Sequence, residues 1–150
     1  MFKRLLLPLD LTAKHGQAVA TAVELASQSE GTVTLLHVIE LIPGLSREED
    51  PEFYERLVET AQKHLDSIGP AFAAKQIPCQ AVIAFGNRVE ETARCAVQNH
   101  CDLVIVTAPA FDAANPAVGW GSMSYKISVL SPTPVLLVKS TSNTQVKNAK

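Results

Sequence analysis

Five short apolar runs, separated by stretches of a different period, constrain the fold more than any other feature of this sequence. RLLLPLD (4–10), TVTLLHV (32–38), CQAVIAF (79–85), DLVIVT (102–107) and PTPVLLVK (132–139) are rich in aliphatic and β-branched residues, as strands are. The first is nearly continuous, the pattern of a strand covered on both faces. Between the runs, apolar residues recur every three or four positions, the period of a helix with one buried stripe.

Thr12, as N-cap, opens the first helix, which runs to about Gln28 with Ala18, Val19, Ala22, Val23 and Ala26 on one face; Gly31 ends it. Asp50 caps the second, with Pro51 at its first position and Phe53, Leu57, Ala61, Leu65, Ile68 and Phe72 as the stripe. Gly69-Pro70 should break or kink that helix, because Pro70 has no backbone N–H. A third helix starts near Asn87 and buries Val89, Ala93, Ala96 and Val97. A fourth runs from Ser122 to about Leu130.

This β-α alternation predicts an α/β fold: one doubly wound, five-stranded parallel sheet with helices on both faces. Right-handed crossovers then favour strand order 3-2-1-4-5. Ligands of such sheets bind at the carboxyl ends of the strands, where the winding reverses, here between the first and fourth strands. Asp10 and the segment Thr107–Ala110 leave those two strands, so the sequence VTAPAFDAANPAVGWGSMSY (106–125) falls at the expected site.

At 150 residues, 47% hydrophobic and 19% charged, the chain fits one globular domain, read as 1–140 with a polar tail at 141–150. The formal charge of −2 argues against nucleic acid or an anionic membrane as partner. No apolar run approaches the roughly 18 residues of a membrane span. The basic start MFKR precedes only Leu5–Leu9, interrupted by Pro8 and closed by Asp10, which reads as a strand and not a leader. Cys79, Cys95 and Cys101 form no C-x-x-C pair and read as reduced, small, buried side chains of a cytoplasmic protein. His15, His37, His64 and His100 show no ligand spacing, so no metal is expected. No Walker motif and no nucleophile–base pair supports an enzyme. Glu48, Glu49, Asp50, Glu52 and Glu55 suit the start of the second helix and are not a catalytic carboxylate pair.

Over residues 2–139 the chain resembles the universal stress protein family. The resemblance is carried by the order and spacing of LLLPLD, LLHV, GNRVEETARCAVQNHCDLVIV and GSMSYKISVLSPTPVLLVK. It implies an adenine nucleotide alpha hydrolase-like fold and a small cytoplasmic stress-response protein, usually a homodimer, some members of which bind ATP. In binding members the adenine and ribose lie near the ends of the first two strands, where Pro8, Asp10 and Val38 match. Asp10 stands for the acid that contacts ribose. The phosphates meet a Gly-x-x-Gly turn, then, after nine residues, a Gly-Ser or Gly-Thr pair.

Here the turn reads Thr107, Ala108, Pro109, Ala110, without its glycines, and Pro109 removes a donor. Ten residues separate Ala110 from Gly121, while taking Gly119 instead leaves eight. The far half survives as Gly121, Ser122, Met123 and Ser124, where a helix N-terminus can receive an anion.

Asp10 thus either accepts from ribose or caps the first helix, and Ser122 and Ser124 either bond phosphate or cap the fourth. Phe111 and Trp120 either stack on a base or cover the crevice. Two functions follow. One is a regulatory binding module, not an enzyme, with weak or absent affinity for ATP or AMP and no required cofactor. The other is an ATP- or AMP-binding stress protein that senses or slowly hydrolyses nucleotide. A different small anion in the crevice is a third reading. The last strand, with Val135, Leu136, Leu137 and Val138, is a sheet edge that only Pro132, Pro134 and Lys139 protect, which predicts pairing with a second copy of the chain.

Overall fold

The computed structural model describes residues 1–115 and 122–140. Its elements follow the order β1 (Arg4–Pro8), α1 (Gly16–Ser29), β2 (Thr32–Ile39), α2 (Pro51–Ala73), β3 (Cys79–Phe85), α3 (Arg88–Gln98), β4 (Leu103–Ala108), α4 (Met123–Leu130) and β5 (Val135–Lys139). All four strand pairings are parallel and the order is β3-β2-β1-β4-β5. The predicted doubly wound sheet is therefore the observed one.

The unbroken apolar run of β1 has a direct cause. Leu5 and Leu7 enter a core with Ala18, Ala22 and Ala26 of α1 and Leu65 and Phe72 of α2. Leu6, pointing the other way, enters a second core with Cys95 and Ala96 of α3 and Ile127 of α4. Side chains alternate across a strand, so a central strand between two helical layers must be apolar at every position. Each such leucine, 1% exposed or less, contributes roughly 1.5–3 kcal/mol by burial.

Local signals explain most boundaries. Asp50 caps α2 by accepting from the Phe53 amide, and Asn87 caps α3 by accepting from Val89 and Glu90. Pro70 neither breaks nor ends α2, which continues to Ala73. So close to the C-terminus the missing N–H forfeits a single internal bond. The α1 C-cap is Glu30, in the left-handed region at φ 55°, and not Gly31. Gly31 is required for another reason: a Cβ there would lie 2.6 Å from the Lys3 carbonyl oxygen.

Three expectations about faces need correction. Tyr54, not Phe53, is the buried aromatic at the start of α2, its hydroxyl donating to the Leu45 carbonyl at 2.6 Å and accepting from the Ile42 amide. Val97 is 58% exposed, because α3 turns Thr92, Cys95 and Ala96 inward. Cys79 is exposed at the start of the edge strand β3, while Cys95 is buried. No helix among the described residues is long and apolar enough to cross a membrane. The 141–150 tail, Gly119, Trp120 and Gly121 lie outside the described residues.

Candidate functional site

Strands β1 and β4 pair only at Leu5–Leu103 and Leu6–Val104, so the chain parts beyond them. A crevice of about 100 Å³ opens there. Of the predicted residues, Pro8, Asp10, Val38, Thr107, Met123 and Ser124 line it. Ala108 instead lies buried within β4, paired with Lys139 of β5. Ala110 is half-buried beyond the strand and is not part of the lining. Ser122 is the N-cap of α4, accepting from the Tyr125 amide, and its hydroxyl lies 3.1 Å from that of buried Ser124. Phe111 is 72% exposed.

Asp10 does not cap α1. The first helical turn begins only at Gly16, and the cap position is His15, whose side chain makes no capping bond. Thr12, predicted as that cap, serves Asp10: its amide and its hydroxyl donate to Asp10 Oδ1 at 2.9 and 2.5 Å. Lys14 Nζ lies 3.0 Å from Oδ2. His15 Nε2 lies 2.7 Å from Oδ1, and His15 Nδ1 lies 2.7 Å from the Thr107 hydroxyl. The Asp10 amide is also 3.2 Å from Nε2. A carboxylate can only accept, however, so the shorter contact puts the ring proton on Nε2, donating to Oδ1. In the neutral ring, Nδ1 then accepts from the Thr107 hydroxyl.

The electrostatics follow from this crowd of donors. Burial alone would raise the Asp10 pKa, but hydrogen bonds from His15, Thr12 and Lys14 hold it well below the ordinary carboxylate value. A second histidine supports the same turn, as buried His37 donates from Nδ1 to the Leu9 carbonyl at 2.8 Å. Arg88 and Thr92 of α3 complete the wall facing α4. Sequence reasoning missed His15 and Lys14. The available signal was the placement of His15 five positions after Asp10, immediately before the first helix.

The described residues outside the crevice offer no metal cluster and no activated thiol. The described residues contain no group of three or more His, Cys, Asp or Glu side chains suited to a metal ion. Desolvation, partial at the exposed Cys79, pushes all three thiols up, Cys101 to about 11, which makes them poor nucleophiles at neutral pH.

A parallel 3-2-1-4-5 sheet with a crevice at its switch point, an aspartate leaving β1 and a helix N-terminus opposite defines a doubly wound α/β domain. The model of the "Universal stress protein family" matches residues 1–139, and the chain belongs to that family. Two curated relatives agree. "Universal stress protein in QAH/OAS sulfhydrylase 3'region" of Thermus aquaticus is 27% identical, covering 93% of this chain and 100% of its own. "Universal stress protein YxiE" of Bacillus subtilis is 24% identical, with the same 93% and 100% coverage.

Among solved structures, the hypothetical protein MJ0577 superposes with a TM-score of 0.79 at 23% identity, covering 95% of this chain and 99% of its own. The universal stress protein from Archaeoglobus fulgidus in complex with dAMP superposes at 0.69 and 11% identity, covering 93% and 100%. A universal stress protein in complex with cAMP superposes at 0.65 and 18%, covering 93% and 98%. These likenesses establish the fold.

Proposed function

We propose that this chain is a cytoplasmic stress-response regulatory module that acts as a homodimer through contacts, with weak or absent affinity for adenine nucleotides. The observation that carries the reading is the state of Asp10. The residue that would accept from a ribose already accepts from Thr12, His15 and Lys14. Three of those donors crowd Oδ1 while Oδ2 meets only Lys14, so a sugar hydroxyl must displace a donor to reach Oδ1. The crevice volume of about 100 Å³ also falls below the roughly 300–1,000 Å³ of pockets that enclose drug-sized ligands.

The dimer is supported by the β5 edge. Leu136 and Leu137 are 36% and 40% exposed, and α4, which packs on β5, leaves Val129 and Leu130 61% and 66% exposed. A second copy across a two-fold axis would cover this face and pair the edge. Family members are generally not classical enzymes, which fits a module that works by contact.

Titration calorimetry with ATP, ADP and AMP, with and without magnesium, tests the reading. Dissociation constants of hundreds of micromolar or weaker are expected. A micromolar constant, about −8 kcal/mol, would overturn it.

The second reading, an ATP- or AMP-binding protein with sensing or slow hydrolysis, is favoured by the dAMP and cAMP complexes of the structural neighbours. If it holds, the phosphates should sit at the N-terminus of α4 near Ser122 and Ser124, and D10A should weaken binding.

A further inference from the structure

We infer that His15 and Thr107 form a bolt across the crevice, and that this pair decides whether the sugar-phosphate part of a nucleotide can enter. The inference rests on the weak-binding reading above and names the residues responsible for it.

The geometry is that of a crossbar. β1 and β4 separate after Leu6 and Val104, and the crevice occupies the gap. His15 spans it, with one ring nitrogen 2.7 Å from Asp10 on the β1 side and the other 2.7 Å from Thr107 on the β4 side. His15 is 7% exposed and lines the crevice, so its ring forms buried wall between the two sides. Both nitrogens are engaged, so the ring can swing aside only by giving up two short hydrogen bonds. Oδ1 of Asp10, which accepts from the same ring and from Thr12, is thereby withheld from an incoming hydroxyl.

Charge is not the barrier. Lys14 and Arg88 line the same crevice, paired with Asp10 at 3.0 Å and Glu40 at 3.6 Å, so the two carboxylates do not face an anion unopposed. The end formed by Pro8, Leu36, Val38 and Val106 is apolar and carries no comparable obstruction. What excludes the ligand is the bond at the middle of the path, and Thr107 is the residue that makes it. A glycine at 107 has neither the hydroxyl to hold His15 nor the side chain to narrow the gap.

The test compares wild type, T107G, H15A and T107G/D10A by calorimetric titration with AMP, with thermal melts to confirm folding. T107G is expected to bind AMP at least tenfold more tightly than wild type, H15A to gain in the same direction, and T107G/D10A to lose the T107G gain. If wild type already binds AMP at micromolar concentration, the weak-binding reading fails. If wild type binds weakly and folded T107G binds no better, that reading stands and the bolt is refuted. Should H15A not fold, T107G alone decides.

Discussion

The crevice and the β5 edge are both places where a protein of this fold could receive a partner, and they are finished to different degrees. In the crevice, polar groups find partners within the chain. Asp10 accepts four donor contacts, His15 uses both ring nitrogens and His37 is bonded to the Leu9 carbonyl. At the edge, among the described residues, β5 pairs only with β4, and Leu136 and Leu137 with Val129 and Leu130 of α4 remain exposed. Unmet hydrogen-bonding and apolar surface is what drives association. Among the described residues, the contrast locates the unmet demand at the edge and not in the crevice.

The largest expected effect comes from breaking the edge. V135K/L137K places two charges on the strand and should convert a sedimenting dimer to a monomer at tens of micromolar, with some loss of stability because Val135 packs against the core of Cys95, Ala96 and Ile127. A wild-type chain that is already monomeric at that concentration would remove half of the comparison.

The next effect concerns acid. The folded Asp10 is held well below the ordinary 3.8. As pH falls, the unfolded chain therefore takes up this proton before the folded one does. The stabilisation is fully present above about 3.8 and is lost as pH falls further toward the folded value. Denaturant midpoints should show wild type more stable than D10N at pH 7, with the gap closing below pH 4. A gap that stays constant into acid would show that the donors around Asp10 do not act through its charge.

Smaller effects sharpen the contrast between the two regions. H15A removes one of the three donors to Asp10 Oδ1 and takes the histidine from the part-buried Thr107 hydroxyl, and should cost about 1–3 kcal/mol in denaturant unfolding. L136A, on the exposed edge, should change the stability of the V135K/L137K monomer by only about 0.5 kcal/mol. Equal costs would mean that the crevice network is no better satisfied than the edge.

The same contrast governs what the sequence disclosed. Local chemistry was legible: β3 spans residues 79–85 as its composition indicates, and Asp50 and Asn87 cap the helices that follow them. The winding and strand order followed from alternation and handedness. The crevice could be located from topology, but its state could not be read. The partner of His15 is Thr107, 92 positions away, and no local pattern announces that bond. The bond also explains the late start of α1, since Asp10, Thr12 and His15 are occupied with one another where a capped helix was expected. Val97 was assigned inward because spacing fixes the period of a helix but leaves its rotation to packing. The threonine at 107 looked like the loss of a glycine; in the fold it is one end of a hydrogen bond.

Hydrogen exchange measured by mass spectrometry, run at several protein concentrations and with and without millimolar AMP, tests the contrast most directly. The account predicts that the amides of Val135–Lys139 gain protection as protein concentration rises, while Leu9–His15 and Val106–Ala108 are unchanged by AMP. Protection of Leu9–His15 by AMP, together with a β5 edge indifferent to concentration, would contradict it.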